Sequence, residues 1–125
     1  DLRSTRPNIE PAIENAPIHA IEHLGATFLR NNKEWANKTI YFGPMGCRTG
    51  FYLILAGTLE SKDIIELLKN MCDFINDFKG PIPGATAEGC GNYRDMNLET
   101  AKFHIKNWKA MLSTIYAKHM VYPGE

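Results

Sequence analysis

The sequence predicts an α+β fold: an antiparallel sheet with helices packed on one of its faces. Three observations carry this. Two short runs rich in β-formers, 39–42 and 48–56, flank a tight turn and suit neighbouring antiparallel strands. Three longer stretches repeat apolar residues at helical spacing. Strands and helices do not alternate in the regular order that a parallel sheet requires. With 125 residues the chain is read as one domain, 1–125, large enough for a sizeable core.

Residues 1–6 alternate weakly and read as a strand, stopped by Pro7 and Asn8. The chain opens inside that strand without an initiator Met, so a further N-terminal segment is expected ahead of Asp1. A linker containing Pro11 leads to a helix over about 17–32. Pro17 suits its first turn, and Asn31 and Asn32 suit its exit. The strand pair follows. A second helix is expected over 62–78, with Ser61 as N-cap and Asp63 in the first turn. Ile64, Leu68, Met71, Ile75 and Phe78 keep helical spacing there, and Cys72 falls inside the pattern as a small buried hydrophobe. Glycines and prolines over 80–84 break the chain. Residues 85–93 are expected as a strand or extended loop. The last helix starts after its cap, Asn97, and runs to about Lys118. Ala101, Ile105, Trp108, Leu112 and Ile115 form its buried stripe. His104 lies off that stripe and is expected in solvent; His119 belongs to the same helix.

Charge balance removes some function classes. Lys and Arg number 14 and Asp and Glu 14, so no bulk electrostatic case exists for nucleic acid or an anionic membrane. No apolar run approaches the ~20 residues of a membrane span, and no secretory signal is visible. The three cysteines, Cys47, Cys72 and Cys90, are odd in number and widely spaced. They fit free thiols in a reducing, cytoplasmic setting rather than a disulfide framework.

The chemistry concentrates in three stretches. The first is H-x-x-E-H over 19–23. At ~100° per residue, Glu22 falls near about −60° and His23 near about +40° of His19, so all three share one helix face. Ile21, Leu24 and Phe28 fall opposite, toward a core. Paired histidines on a helix are often only a polar face. Two imidazoles one turn apart can also grip one divalent ion, and in the inverted zinc motif the Glu is a base and not a ligand. The second stretch, 43–50, sets Gly43, Pro44, Gly46 and Gly50 around Cys47 and specifies an unusual backbone path. Cys47 can simply pack in this bend; alternatively, a cation such as the following Arg48 would favour its thiolate. The third stretch places Cys90 between Gly89 and Gly91, where a thiolate can approach a metal closely. His19, His23 and Cys90 would make a His₂Cys set with one coordination position open, as catalytic metal sites have.

H-x-x-E-H-L, P-M-G-C-R-T-G and C-G-N-Y, in this order, resemble the S-ribosylhomocysteine lyase (autoinducer-2 synthase) family. Asp1-Leu2-Arg3 followed by Pro7-Asn8 is similar to the segment preceding the helix there, and the resemblance runs across all 125 residues. It implies that His19, His23 and Cys90 bind one divalent metal per subunit, ferrous iron natively and often zinc in preparations. It implies that Cys47 and Glu22 are the acid–base pair and that Arg3 lies near Cys47 and the substrate. It also implies a homodimer with active sites at the interface, each using residues of both chains. The reaction implied moves a carbonyl along the ribose by two isomerisations and then breaks the thioether by β-elimination. Homocysteine and 4,5-dihydroxy-2,3-pentanedione result. Two positions depart from the family: Tyr41 and Gly43 stand where many members carry Asp and Ser. Two other readings compete. One is a small zinc peptidase of the inverted-motif type, with Glu99 as ligand instead of Cys90. The other is a non-catalytic metal-stabilised dimerisation module, which would need a closed four-ligand set.

Overall fold

The computed structural model describes residues 1–114. The expected end of the last helix, with Ile115, Lys118 and His119, lies outside the described residues. The elements run β1 (Leu2–Arg3), α1 (Asn15–Asn31), β2 (Thr39–Pro44), β3 (Gly50–Leu55), a 3-10 turn (Ser61–Ile64), α2 (Ile65–Asp77) and α3 (Leu98–Leu112). The sheet has the order β1-β3-β2, antiparallel throughout. This is the expected α+β architecture.

Side-chain alternation gives the sheet two different faces. Phe42 opposite Leu53, and Pro44 and Leu2 opposite Phe51, form the inner face. Phe51 is fully buried and stacks between Phe42, with ring centroids 5.2 Å apart, and Trp108 of α3, at 5.9 Å. The sheet is thereby bound to α3 through aromatic packing. Helix α1 comes equally close. A side chain at Gly25 would strike the Phe42 ring, so the glycine is required for contact. It costs ~1 kcal/mol of helix propensity relative to alanine. On the outer face, Tyr41 opposite Ile54 and Gly43 opposite Tyr52 point away from the helices.

Helix α1 starts at Asn15, with Pro17 in the first turn, where an N–H has no helical partner. It ends at Asn32, whose side-chain oxygen accepts from the N–H groups of Glu34 (2.9 Å) and Trp35 (3.0 Å). Asn97 caps α3 as expected: its side chain accepts from the Thr100 N–H at 2.9 Å. Its own N–H donates to the Ala16 carbonyl at 3.2 Å, which ties the start of α3 to the start of α1. In α2, Met71, Cys72 and Ile75 are fully buried, and Asp73 pairs with Lys109 of α3.

Several expectations are corrected. β1 is two residues long, because the Ser4 and Thr5 N–H groups both turn to the Thr49 carbonyl (3.0 and 3.1 Å). Glu60, not Ser61, caps the 3-10 turn that precedes α2, and its N–H donates to Asp63 at 2.8 Å; α2 itself begins after Ile64 without a side-chain cap. Residues 85–93 form neither strand nor extended loop. Successive turns run through them, closed by Ala85 N–H to Ile82, Cys90 N–H to Thr86 and Asp95 N–H to Asn92. Glycines and polar residues there offer no alternating apolar face for a sheet to bury. His104 is half-buried rather than solvated, and desolvation holds its pKa below the ordinary value against the pull of Glu14. No helix among the described residues is long and apolar enough to cross a membrane.

Candidate metal and acid–base centre

Helix α1 buries Ile18, Ala20, Ile21 and Leu24, which leaves His19, Glu22 and His23 half-buried on the other side. The two imidazoles stand 4.9 Å apart, centroid to centroid. His19 Nδ1 meets the Asp95 carbonyl at 2.8 Å, and His23 Nδ1 meets the Pro83 carbonyl at 3.0 Å. A carbonyl only accepts, so each ring donates from Nδ1 and keeps the lone pair on Nε2. This backbone support fixes the tautomer that a metal ligand needs. Gly84 makes one of these bonds possible. Its φ of +77° suits glycine, and an added Cβ would sit 3.0 Å from His23 Nδ1.

The turns after Gly84 bring Cys90 to the same place. Its Sγ lies 3.3 Å from His19 Nε2 and accepts the Asn92 N–H at 3.4 Å. The donor atoms of His19, His23 and Cys90 all lie within 4.8 Å of one another. One ion with bonds of ~2.0–2.3 Å holds tetrahedral donors about 3.5 Å apart, so this set fits a single metal. Among the described residues these three form the one group of this kind. Glu99, the ligand of the peptidase reading, is exposed at the start of α3 and does not join them. Glu22, half-buried beside them, makes no hydrogen bond or ion pair among the described residues.

Cys47 sits in the exposed turn between β2 and β3, where the Arg48 N–H closes on the Met45 carbonyl at 3.0 Å. The left-handed residue of this turn is Arg48, with φ 59°, and not one of its glycines. Gly50 serves instead to let the β1 backbone approach at Leu2. Arg48 is exposed, and the cation beside the thiol is Arg3, with Nη1 3.7 Å from Sγ. Arg3 also donates to Thr49 Oγ1 at 2.6 Å, and Thr49 Oγ1 lies 3.0 Å from Sγ. The Thr49 hydroxyl, the Thr49 backbone and then Arg3 pull the thiol down to about 7, against its desolvation. Arg3 is therefore beside Cys47 as expected, whereas the cation expected from Arg48 is not. Sequence reasoning missed Thr49. Its signal was a β-branched hydroxyl two residues after the cysteine.

The two departing positions are linked. The Tyr41 phenol lies over Gly43, in the space that a side chain at 43 would need. A tyrosine at 41 in this pose requires a glycine at 43.

Fold and site together define a class: a small α+β domain with a three-donor metal-type cluster and, in the β2–β3 turn, an acidified thiol. The chain belongs to the S-ribosylhomocysteinase (LuxS) family, whose sequence pattern matches residues 1–118. It is 57% identical over 123 residues to the S-ribosylhomocysteine lyase of Clostridium acetobutylicum, covering 98% of this chain and 78% of that protein. The S-ribosylhomocysteine lyase of Clostridium beijerinckii is 56% identical over 125 residues, 99% of this chain and 79% of that protein. The one from Borreliella burgdorferi is 52% identical over 123 residues, 98% of this chain and 78% of that protein.

Proposed function

We propose that this chain is a carbon–sulfur lyase that cleaves S-ribosylhomocysteine to homocysteine and 4,5-dihydroxy-2,3-pentanedione, the autoinducer-2 precursor. One observation carries the reading: side chains from distant motifs converge as a three-donor set, with an unpaired carboxylate on the same helix face. Moving a carbonyl along the ribose means taking a proton from one carbon and returning it to the next. Cys47, pulled down to about 7, is divided between thiol and thiolate near neutrality and can do both. Arg3 and Thr49 hold the negative sulfur. Glu22 handles protons on the sugar oxygens and the last carbon proton before homocysteine leaves. His19, His23 and Cys90 hold one divalent metal, which when bound supplies Lewis acidity toward the sugar oxygens. A mixed imidazole–thiolate set suits iron(II) or zinc. The family resemblance favours ferrous iron as the native ion, with zinc as a substitute.

The working unit in this reading is a homodimer in the cytoplasm, with its active sites at the interface. The outer sheet face supports it: Tyr41 (47% exposed), Tyr52 (46%) and Ile54 (48%) lie together on one apolar surface. The test supplies metal-loaded protein with S-ribosylhomocysteine and measures free thiol, alongside an unstructured peptide as competitor substrate. Thiol release without peptide cleavage is expected. Peptide cleavage without thiol release would replace the lyase with a peptidase. Metal binding and dimerisation with neither activity would favour the non-catalytic module.

A further inference from the structure

Among the described residues, Thr49 is the one buried polar or charged side chain, 6% exposed at the base of the Cys47 turn. Its hydroxyl stands between Arg3 Nη1 at 2.6 Å and Cys47 Sγ at 3.0 Å. A guanidinium has no acceptor, so Thr49 Oγ1 must accept from Arg3. The hydroxyl has a single hydrogen, and the sulfur is the partner it faces. Once Cys47 is ionised the sulfur can only accept, so this hydrogen turns to it and favours the anion. The direct approach of Arg3 to Sγ, 3.7 Å, is much longer than its bond to Thr49. Arg3 thus acts on the sulfur in two ways, directly and by bracing the hydroxyl.

The hydroxyl is also held in place. The Thr49 carbonyl accepts from the N–H groups of Ser4 and Thr5 and from the Ser4 hydroxyl at 3.4 Å. A β-branched side chain has few χ1 choices, so a fixed backbone fixes the hydroxyl too. The charged groups around the thiol are Arg3 from β1, Asp1 bound to Arg3 Nε at 3.0 Å, and Arg48, exposed in the turn itself. Thr49 is buried, whereas Asp1, Arg3 and Arg48 are exposed.

We propose that Thr49 is a positioning residue for Cys47: braced by Arg3, it presents its one hydroxyl hydrogen to the sulfur and keeps it an oriented thiolate. This rests on the reading of Cys47 as the proton-transfer group. It gives a neutral residue a share in the arginine's effect.

The test uses the full metal-loaded chain. Thr49→Val keeps the shape and removes the hydroxyl; Thr49→Ser keeps the hydroxyl. Alkylation of Cys47 by iodoacetamide is followed against pH by peptide mass, and the pH profile of kcat is measured in parallel. The wild-type midpoint is expected at about 7. Thr49→Val should raise it by about one unit or more, with the acid limb of kcat moving alongside. Thr49→Ser should restore both relative to valine. A valine variant with the wild-type midpoint, or a serine variant shifted as far as valine, would overturn the proposal and leave Thr49 a structural residue. Thr49→Ala removes the same hydroxyl and carries the test if valine prevents folding. The midpoint needs no substrate. A shifted midpoint with wild-type turnover would therefore uphold the Thr49–Cys47 coupling and instead sink the acid–base reading of Cys47.

Discussion

Cys47 and Cys72 carry the same thiol into opposite surroundings. In the β2–β3 turn, the Thr49 hydroxyl and backbone and the Arg3 guanidinium pull Cys47 down to about 7. In α2, burial and then the charge of Asp73 push Cys72 up to about 12, with Lys109 pulling weakly the other way. Desolvation opposes ionisation in both, yet only in the turn do hydrogen-bond donors face the sulfur. A cysteine's chemistry is decided by which groups point at it. An arginine on the neighbouring strand outweighs the arginine next in sequence.

The largest way to break this comparison is to delete the thiols in turn. Cys47→Ala should lower turnover ~10²–10⁴-fold, the usual cost of losing an acid–base group, with metal content unchanged. Cys90→Ala should lose metal and turnover together, because that thiol belongs to the donor set. Homocysteine release and metal analysis on the same preparations separate the two. A metal-replete Cys47→Ala protein with near-normal turnover would reduce Cys47 to a packed turn residue.

Alkylation rates sharpen the contrast without any substitution. Reactivity follows the thiolate, which grows as pH rises through the thiol's pKa. In the folded protein Cys47 should therefore titrate with a midpoint of about 7, below the ordinary 9.0, and react well at pH 8. Cys72 should stay unmodified at pH 8 until denaturant exposes it. Equal labelling of both in the native protein would mean that α2 opens far more readily than its burial allows.

The smallest effect is expected from Cys72→Ala. Removing one buried sulfur leaves a small cavity and should cost ~1 kcal/mol, read as a shifted urea midpoint. Turnover per folded molecule should not change. A collapse of turnover would give Cys72 a part in the reaction that its burial does not suggest.

Much of this was legible in the sequence wherever a local pattern settles the outcome. The shared face of His19, Glu22 and His23 follows from helical spacing, and Asn97 announces its helix with a cap. Cys72 is read as core from its place between Leu68 and Ile75. Contacts made by the main chain were not legible. Nothing in the spacing says that the Asp95 and Pro83 carbonyls would meet the two imidazoles, because those bonds depend on how a run of turns closes. Thr49 was missed for a related reason. Its role needs Arg3, which arrives by sheet register, Arg3 opposite Gly50, from 46 residues away in the chain. The sequence neighbour Arg48 looked nearer to the thiol only because chain proximity stood in for spatial proximity.

The carbonyls behind His19 and His23 have a genetic consequence. Every residue type carries a main-chain oxygen, so no missense change at 83 or 95 can delete either acceptor. Codons 83 and 95 are free to drift in that respect, unlike those of Gly84, whose left-handed backbone and closeness to His23 forbid a side chain, of Gly89, where a Cβ would meet the Gly84 carbonyl oxygen at 2.8 Å, and of the donor Cys90. The length of the 83–95 segment is what must be kept. One codon inserted or lost would carry an oxygen, or Cys90 itself, past its partner. The thiol turn is vulnerable in the reverse way. Its supports are the side chains of Arg3 and Thr49, and a single missense change removes either. The two kinds of support thus drift under different rules: the carbonyl acceptors tolerate substitution and are strict in length, whereas the Arg3 and Thr49 side chains are strict in residue identity.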